Sequence, residues 1–167
     1  SFPTRRSSDL PPFFRSDEMG SAVHAASLER PVKLMIALEM IGYYDSTPGS
    51  QDYPYPAMSW LYPDRGDFIA VVGRMQDINA VRQVKAALLS SRDLSVYSMN
   101  APGFIPGIDF SDHLNYWQHD IPAVMITDTA FYRNKQYHLP GDIADRLNYQ
   151  KMAQVVDGVT TLLYNSK

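Results

Sequence analysis

Two carboxylates stand where buried apolar runs of the sequence end. Glu39 lies near the end of VKLMIALEMI, residues 32–41, and Asp128 closes PAVMITD, residues 122–128. An ionised carboxylate that is buried without a partner is strongly destabilising. Glu39 must therefore be protonated, paired with a cation or bound to a metal ion. An Arg or His of the same core is one candidate partner.

A histidine and a short acidic segment follow two apolar runs. His138 lies next to Tyr137 in the loop behind residues 122–128. The segment that follows the run at 94–99 contributes Asp109, Ser111, Asp112 and His113. These residues also have ordinary structural explanations, since a loop histidine is commonly exposed and an Asp-His pair can cap a helix. Taken one at a time, none of them establishes a site.

The elements that must position these residues alternate between strands and helices. Helices are predicted at 17–29, 77–90, 111–120 and from Asn148 onward, and strands at 32–41, 67–73, 94–99 and 122–128. This alternation predicts an α/β fold, a three-layer α/β/α sandwich with a mostly parallel sheet. Residues 32–41 are apolar on both faces toward their end, which predicts a strand inside the sheet. In such sheets ligands bind beyond the carboxyl ends of the strands, where Glu39 and Asp128 fall.

Local patterns predict how the helices begin and which faces they bury. The candidate N-caps are Asp17, Ser111 and Asn148. In the helix at 77–90 the apolar stripe is formed by Ile78, Val81, Val84 and Leu88. In the last helix the predicted core-facing positions are Tyr149, Met152, Val156, Val159 and Leu163.

The composition is that of a globular chain. The 167 residues are enough for one domain or a piece of one, with 45% hydrophobic and 20% charged residues. The net charge of -3 argues against nucleic-acid binding, and the absence of cysteine excludes disulfides and thiolate metal sites. No apolar run approaches the length of a membrane span. The irregular segment 42–66 is long for a loop in a compact domain, and such loops are commonly functional.

The first ten residues, SFPTRRSSDL, match the translation of a common sequencing adapter in one reading frame. The ordinary alternative is a polar N-terminal tail. We predict that residues 1–10 are not native and that the natural sequence is entered at Pro11, within a gene. Fold reasoning therefore starts at Pro11.

Five segments resemble the C-terminal half of a co-catalytic di-zinc aminopeptidase, in order and at suitable spacing. They are LEMIGYY, FSDHLNYW, IPAVMITDTAFYRN, YHLPGD and LNYQKMAQVVDGV. The family includes bacterial leucyl aminopeptidases and glutamate carboxypeptidase, with glutaminyl cyclases as relatives. The pairing of Ser-Asp-His with a later Tyr-His-x-Pro-x-Asp is the most specific part. The resemblance implies that residues 11–167 are the C-terminal portion of one zinc-exopeptidase-like catalytic domain, with its N-terminal strands missing.

The resemblance implies roles for individual polar residues. Glu39 matches the strand-end acidic ligand of one zinc ion, and His138 matches a histidine ligand of the second. Zinc accepts both carboxylate oxygen and imidazole nitrogen. Asp112 and His113 match an element that supports the metal ligands without touching the metal.

Further residues fall where relatives of this kind meet the substrate. Tyr132 and Arg133 match positions that present groups to the substrate or to the oxyanion of the intermediate. The family's pocket is usually apolar, and its candidate residues here are Phe104, Ile105, Ile108 and Phe110.

The chemistry implied by the resemblance is hydrolysis of the peptide bond that follows an N-terminal residue. Two zinc ions lower the pKa of a shared water, and a glutamate acts as general base. The expected partner is a peptide substrate with a free amine. Many relatives are secreted or periplasmic, so export of the parent protein is a reasonable expectation.

The sequence also departs from the family pattern. The family needs a His-x-Asp, a bridging Asp and an adjacent Glu-Glu pair earlier in the chain. None of the four histidines is followed by Asp two residues later, and Glu-Glu does not occur. The general-base Glu is expected immediately before Pro11, where Asp9 and Leu10 stand. We therefore expect the chain by itself to keep one ligand of each metal and to be inactive.

Three alternatives stay open. A glutaminyl cyclase-like acyltransferase uses the same scaffold with one zinc ion. A non-catalytic binding module is the second, as in transferrin receptor ectodomains. In the third, the likeness is to the fold alone, and Glu39 pairs with Arg133 or Arg146.

Overall fold

The computed structural model describes residues 14–91, 93–102, 105 and 107–165. The adapter-like stretch 1–10 and the pocket candidate Phe104 lie outside the described residues. The strands are β1 (Met35–Glu39), β2 (Ile69–Gly73), β3 (Val96–Asn100) and β4 (Ala123–Thr127). The helices are α1 (Gly20–Ala26), α2 (Ile78–Leu88), α3 (His113–Trp117) and α4 (Tyr149–Asn165). Strands and helices thus alternate as the sequence predicts, although most elements are shorter than predicted.

The four strands form one sheet in the order β1-β4-β2-β3. β1 pairs with β4 in parallel, so that Glu39 lies opposite Thr127, and β2 pairs with β3 in parallel. The central pairing of β2 with β4 is antiparallel. The predicted mostly parallel sheet is therefore confirmed, with one antiparallel pairing at its centre.

Strand β1 lies at the edge of this sheet and not inside it. Its only neighbour among the described strands is β4, and Leu38 is 46% exposed. The prediction of an inner strand at 32–41 was thus wrong for the described part of the chain. Apolar residues on both faces of a strand therefore show neither that both faces are fully covered nor that both edges are paired.

The antiparallel pairing separates the carboxyl ends of the strands into two groups. The carboxyl ends of β1 and β4 lie together at one end of the strands. The carboxyl ends of β2 and β3 lie at the opposite end. The loop that follows β3 must therefore return across the sheet before α3 begins. This return places Ser111 beside Glu39, although the two residues follow strands that point in opposite directions.

Helices cover both faces of the sheet. On one face, α2 and α4 pack over a core of aliphatic residues: Ile69, Val71, Val81, Val84, Leu88, Leu94, Val96, Val124, Ile126, Val155 and Leu162. On the other face, Ala25 of α1 and Tyr116 of α3 pack against Ala123 of β4. Because neighbouring residues of a strand point to opposite faces, β4 contributes to both layers. The predicted α/β/α sandwich is confirmed.

Helix α4 buries a face that overlaps the predicted one only in part. Of the predicted residues, Val159 packs against the aliphatic core and Met152 is half-buried. Its buried residues are Val155, Gly158 and Leu162. Tyr149, Val156 and Leu163 are 60%, 50% and 63% exposed. The close approach of α4 to α2 explains the rotation, since a Cβ on Gly158 would lie 2.8 Å from the Cα of Leu88.

The predicted helix starts have mixed outcomes. Asn148 caps α4, because its Oδ1 accepts the backbone N–H of Lys151 at 3.0 Å. Helix α1 begins after Met19, so Asp17 is not its cap. Ser111 does not cap α3, because its hydroxyl donates to Glu39.

The apolar stripe of α2 is confirmed at Val81, Val84 and Leu88, which are buried, whereas Ile78 is 37% exposed at the first turn. Among the residues that the structure describes, no helix combines the length and the apolar character needed to cross a bilayer.

Candidate functional site

A cavity of about 310 Å³ lies over the sheet face that carries α1 and α3. Its floor is formed by small and apolar strand residues, Ala70, Val72 and Met125. Its walls are mainly aromatic and come mostly from three loops that precede or follow the strands, with Tyr97 added by β3 and Phe14 by the segment before α1. The aromatic lining residues are Phe14, Tyr53, Tyr62, Phe68, Tyr97, Phe110, Phe131, Tyr132 and Tyr137.

Glu39 is the acidic residue that the sheet itself contributes to this cavity. It is the last residue of β1 and is half-buried. The hydroxyl of Ser111, which is fully buried, donates to its Oε1 at 2.5 Å. Arg133 and Arg146, the alternative partners considered from the sequence, donate to other groups.

Asp128 holds together the two backbone segments that follow β1 and β4. Its Oδ2 accepts the N–H groups of Gly42 and Tyr43 at 3.1 and 2.7 Å, and its Oδ1 accepts that of Ala130 at 3.0 Å. Burial raises the pKa of Asp128 to about 6, while these backbone donors act in the opposite direction. The backbone N–H of Asp128 also donates to the carbonyl of Met40 at 2.6 Å. The residue next to Glu39 is thereby fixed in place.

Arg133 is buried beneath the cavity wall, with 3% exposure. Its Nη1 donates to the carbonyls of Tyr43 and Phe68 at 3.0 and 2.9 Å, and its Nε donates to Gln51 at 2.9 Å. The side chain crosses Gly66, where a Cβ would lie 2.5 Å from its Cδ. These contacts favour a role in positioning the loops. Of the two residues predicted to face the substrate, only Tyr132 is part of the cavity wall.

His113 fastens the loop that carries Ser111. The ring is fully buried and its Nε2 lies 2.6 Å from the carbonyl oxygen of Ile108. A carbonyl only accepts hydrogen bonds, so Nε2 carries the proton. Burial lowers the pKa of His113, which keeps the ring neutral near pH 7. Asp112, its neighbour, is half-buried at the start of α3.

His138 lies at the exposed rim, beyond the aromatic wall. Its ring stacks on Tyr137 at 3.9 Å between centroids, and Tyr137 lines the cavity. The residue has a φ of 57°, in the left-handed region that non-glycine residues adopt rarely. His138 itself does not line the cavity. The structure thus places Glu39 in the cavity wall. His138 lies just outside the wall, next to the lining residue Tyr137 in the sequence.

The predicted pocket residues are partly brought together. Ile108 and Phe110 line the cavity, while Ile105 packs against the apolar cluster beneath it. Sequence reasoning did not identify the contribution of the segment 42–66, which supplies Gln51, Asp52, Tyr53, Pro54, Met58 and Tyr62. The signal was present, because that segment is rich in tyrosine and unusually long for a loop.

The described residues do not form a complete metal site by themselves. Within the described ranges, no group of three or more His, Asp or Glu side chains is arranged to hold an ion. Glu39 and His138 have suitable donor chemistry, but zinc in proteins is usually held by three or four protein ligands. Any zinc site that uses them needs donors from other parts of the polypeptide.

The fold is shared with bacterial aminopeptidases of known structure. LapA aminopeptidase of Legionella pneumophila superposes with a TM-score of 0.60 at 20% identity, over 87% of this chain and 36% of that one. BSAP, a zinc aminopeptidase from Bacillus subtilis, gives a TM-score of 0.58 at 16% identity, over 88% and 32%. The aminopeptidase of Aneurinibacillus sp. strain AM-1 gives 0.57 at 20% identity, over 87% and 29%. At these identities the likeness concerns the fold.

A much more similar sequence occurs in Escherichia coli (strain K12). The "Uncharacterized protein YfbL" is 94% identical over 160 residues, which are 96% of this chain and 50% of the relative. The chain thus spans about half the length of the curated relative that it matches. No family model matches the sequence. These comparisons give no support to the interpretation of residues 1–10 as an adapter translation.

Proposed function

We propose that this chain is part of a zinc-dependent exopeptidase, an aminopeptidase that removes N-terminal residues from peptides. One observation carries the proposal. Glu39 ends β1 at the wall of an apolar cavity, hydrogen-bonded to Ser111, in a fold shared with zinc aminopeptidases. A carboxylate at a strand end beside a cavity stands where α/β sheets bind ligands, and it could hold the metal ion of a metal-dependent hydrolase.

Glu39 and His138 would each supply one zinc ligand, and the remaining ligands would come from polypeptide outside the described residues. When bound, zinc polarises a carbonyl and activates water near neutral pH. The residues of this chain orient the donors. Ser111 holds the carboxylate of Glu39, and the ring of Tyr137 supports that of His138. His113 acts one step further out by fastening the loop that carries Ser111.

The cavity suits the apolar side chain of a substrate's first residue. Its lining is largely aromatic and aliphatic, and its volume of about 310 Å³ is enough for a leucine or a phenylalanine side chain. The hydroxyl of Tyr132 is the candidate donor to the oxyanion. Arg133 would act on the substrate only indirectly. It would position the loops that line the cavity by donating to the carbonyls of Tyr43 and Phe68.

The proposed activity belongs to the full-length protein. The general-base glutamate is expected just before Pro11, where this chain has Asp9 and Leu10 instead. We infer that residues 11–167 are the C-terminal portion of one catalytic domain. The 167-residue chain alone should bind zinc weakly and should not turn over peptides.

The test uses the full-length E. coli relative, numbered here as in this chain. It should release chromogenic amines from leucyl and phenylalanyl amides faster than from lysyl amides. A chelator should abolish the reaction and zinc should restore it. N-acetylated substrates should not react, because the free amine is part of the recognised group.

The alternatives give different results in the same samples. Cyclisation of an N-terminal glutamine with release of ammonia, without hydrolysis, would identify a glutaminyl cyclase. Absence of both turnover and bound zinc would favour the non-catalytic binding module. Either result contradicts the exopeptidase proposal.

A further inference from the structure

The segment 42–66 contains an apolar tip that points into solvent. Residues 54–62, PYPAMSWLY, form this loop tip around a 3₁₀ turn at Pro56–Trp60. Trp60 is 86% exposed and Leu61 is 78% exposed. These are the two highest exposures among the large apolar side chains of the described residues. Tryptophan is highly buried on average in folded proteins, and it is enriched among the residues that contribute most to binding interfaces.

The loop tip is fastened at its base. The hydroxyl of Tyr62 donates to the carbonyl of Ser98 in β3 at 3.1 Å, and that of Tyr53 donates to the carbonyl of Pro63 at 2.7 Å. The rings of Tyr53 and Tyr62 lie 5.9 Å apart. The exposure of Trp60 and Leu61 is therefore a feature of an anchored turn, held by one hydrogen bond to the sheet and one within the loop.

The same turn contributes to the cavity. Met58 and Tyr62 line the cavity, whereas Trp60 and Leu61, which lie between them in the sequence, face solvent. The loop tip contains no charged residue. An apolar surface thus continues from the cavity wall to the outside of the protein.

We propose that Trp60 and Leu61 bind apolar side chains that follow the first residue of a peptide substrate. This inference rests on the proposed exopeptidase function, in which the first side chain occupies the cavity. The remainder of the peptide must then leave the cavity along its walls. The uncharged surface of the loop tip favours apolar second and third residues over acidic or basic ones.

The experiment compares two substrates in the full-length E. coli relative. For the tripeptide Leu-Leu-Phe, Trp60→Ala should raise KM about tenfold and leave kcat unchanged, and Leu61→Ala should raise KM about threefold. For leucine linked to a chromogenic amine, neither substitution should change KM or kcat. Leu89→Ala is the matched control, since Leu89 is 54% exposed just after α2. It should leave the KM of both substrates unchanged.

Equal KM values for Leu-Leu-Phe in the wild type and Trp60→Ala would overturn the inference. So would loss in Trp60→Ala of a dimer in ultracentrifugation, or of binding to phosphatidylcholine vesicles, with an unchanged peptide KM. If the wild type hydrolyses no peptide, binding of Leu-Leu-Phe amide by calorimetry decides. If Trp60→Ala then binds this peptide more weakly than the wild type, the inference about Trp60 and Leu61 is supported, and only the proposed exopeptidase function is contradicted by the lack of hydrolysis. Equal binding by the two proteins contradicts the inference about Trp60 and Leu61.

Discussion

The two faces of the sheet are packed in different ways. Under α2 and α4 the strands present Ile69, Val71, Val124 and Ile126, all fully buried in an aliphatic core. On the opposite face the same strands present Ala70, Val72 and Met125, which form the floor of a cavity of about 310 Å³. One face is filled by side chains, and the other is left open and surrounded by aromatic loops.

The difference shows how one short sheet serves stability and recognition together. In β4, Val124 and Ile126 belong to the filled face, and Met125 belongs to the open one. Because alternate residues serve alternate faces, substitutions at neighbouring positions should have different consequences. The filled face should determine the free energy of unfolding, and the open face should determine what the protein binds.

The largest effect is expected on the filled face. Leu88 is fully buried and its Cα lies against Gly158. Leu88→Ala should lower the free energy of unfolding by about 3 to 5 kcal/mol, since it removes apolar contacts and leaves a cavity. Urea denaturation measures the effect. Leu89→Ala, at the exposed neighbouring position, should cost less than about 0.5 kcal/mol. Similar losses for the two variants would contradict the distinction.

A smaller effect is expected at Asp128, where the loops of the open face are joined. Its pKa is raised from 3.8 to about 6, so the folded state holds this proton more tightly than the unfolded state. The contribution of Asp128 to stability should therefore decrease as the pH rises from about 4 to about 6.

Asp128→Asn removes this titration and so provides the measurement. Between pH 7 and pH 4, the wild type should gain up to about 3 kcal/mol of stability relative to Asp128→Asn. Unfolding curves at several pH values measure the difference. A pH-independent difference between wild type and Asp128→Asn would contradict the account.

The smallest effect on stability is expected on the open face. Ala70 lines the cavity, and a leucine there would extend into existing space. Ala70→Leu should change the unfolding free energy by less than about 1 kcal/mol, whereas overpacking a filled core costs about 1 to 3 kcal/mol. The variant should, however, lose most of its binding of an apolar fluorescent dye. A large loss of stability with normal dye binding would show that the cavity is not where the structure places it.

The order and type of the elements could be predicted because local patterns specify them. The runs at 67–73 and 122–128 are apolar and short, and they form β2 and β4. The face of α4 could not be predicted in the same way. Val155 and Val156 are adjacent, as are Leu162 and Leu163, so the sequence offers two apolar stripes. The contact of Gly158 with α2 selects one of them, and that contact is long-range.

The site could be predicted by residue type but not by geometry. Glu39 was identified because a carboxylate interrupts an apolar run, and the structure places it in the cavity wall. The hydrogen bond from Ser111 to Glu39 joins residues 72 positions apart. It depends on the direction in which the strands pair, including the antiparallel pairing of β2 with β4, and no local sequence pattern predicts that pairing. The burial of Arg133 also depends on Tyr43 and Phe68, which lie far away in the sequence.

The zinc content of the full-length E. coli relative tests the central claim most directly. We predict about two zinc ions per wild-type chain and about one fewer in Glu39→Gln, with the fold retained by circular dichroism. Glu29→Gln, at an exposed position after α1, should keep the wild-type zinc content. If Glu39→Gln retains as much zinc as the wild type, with the same affinity, then Glu39 is not a metal ligand and the exopeptidase account is contradicted.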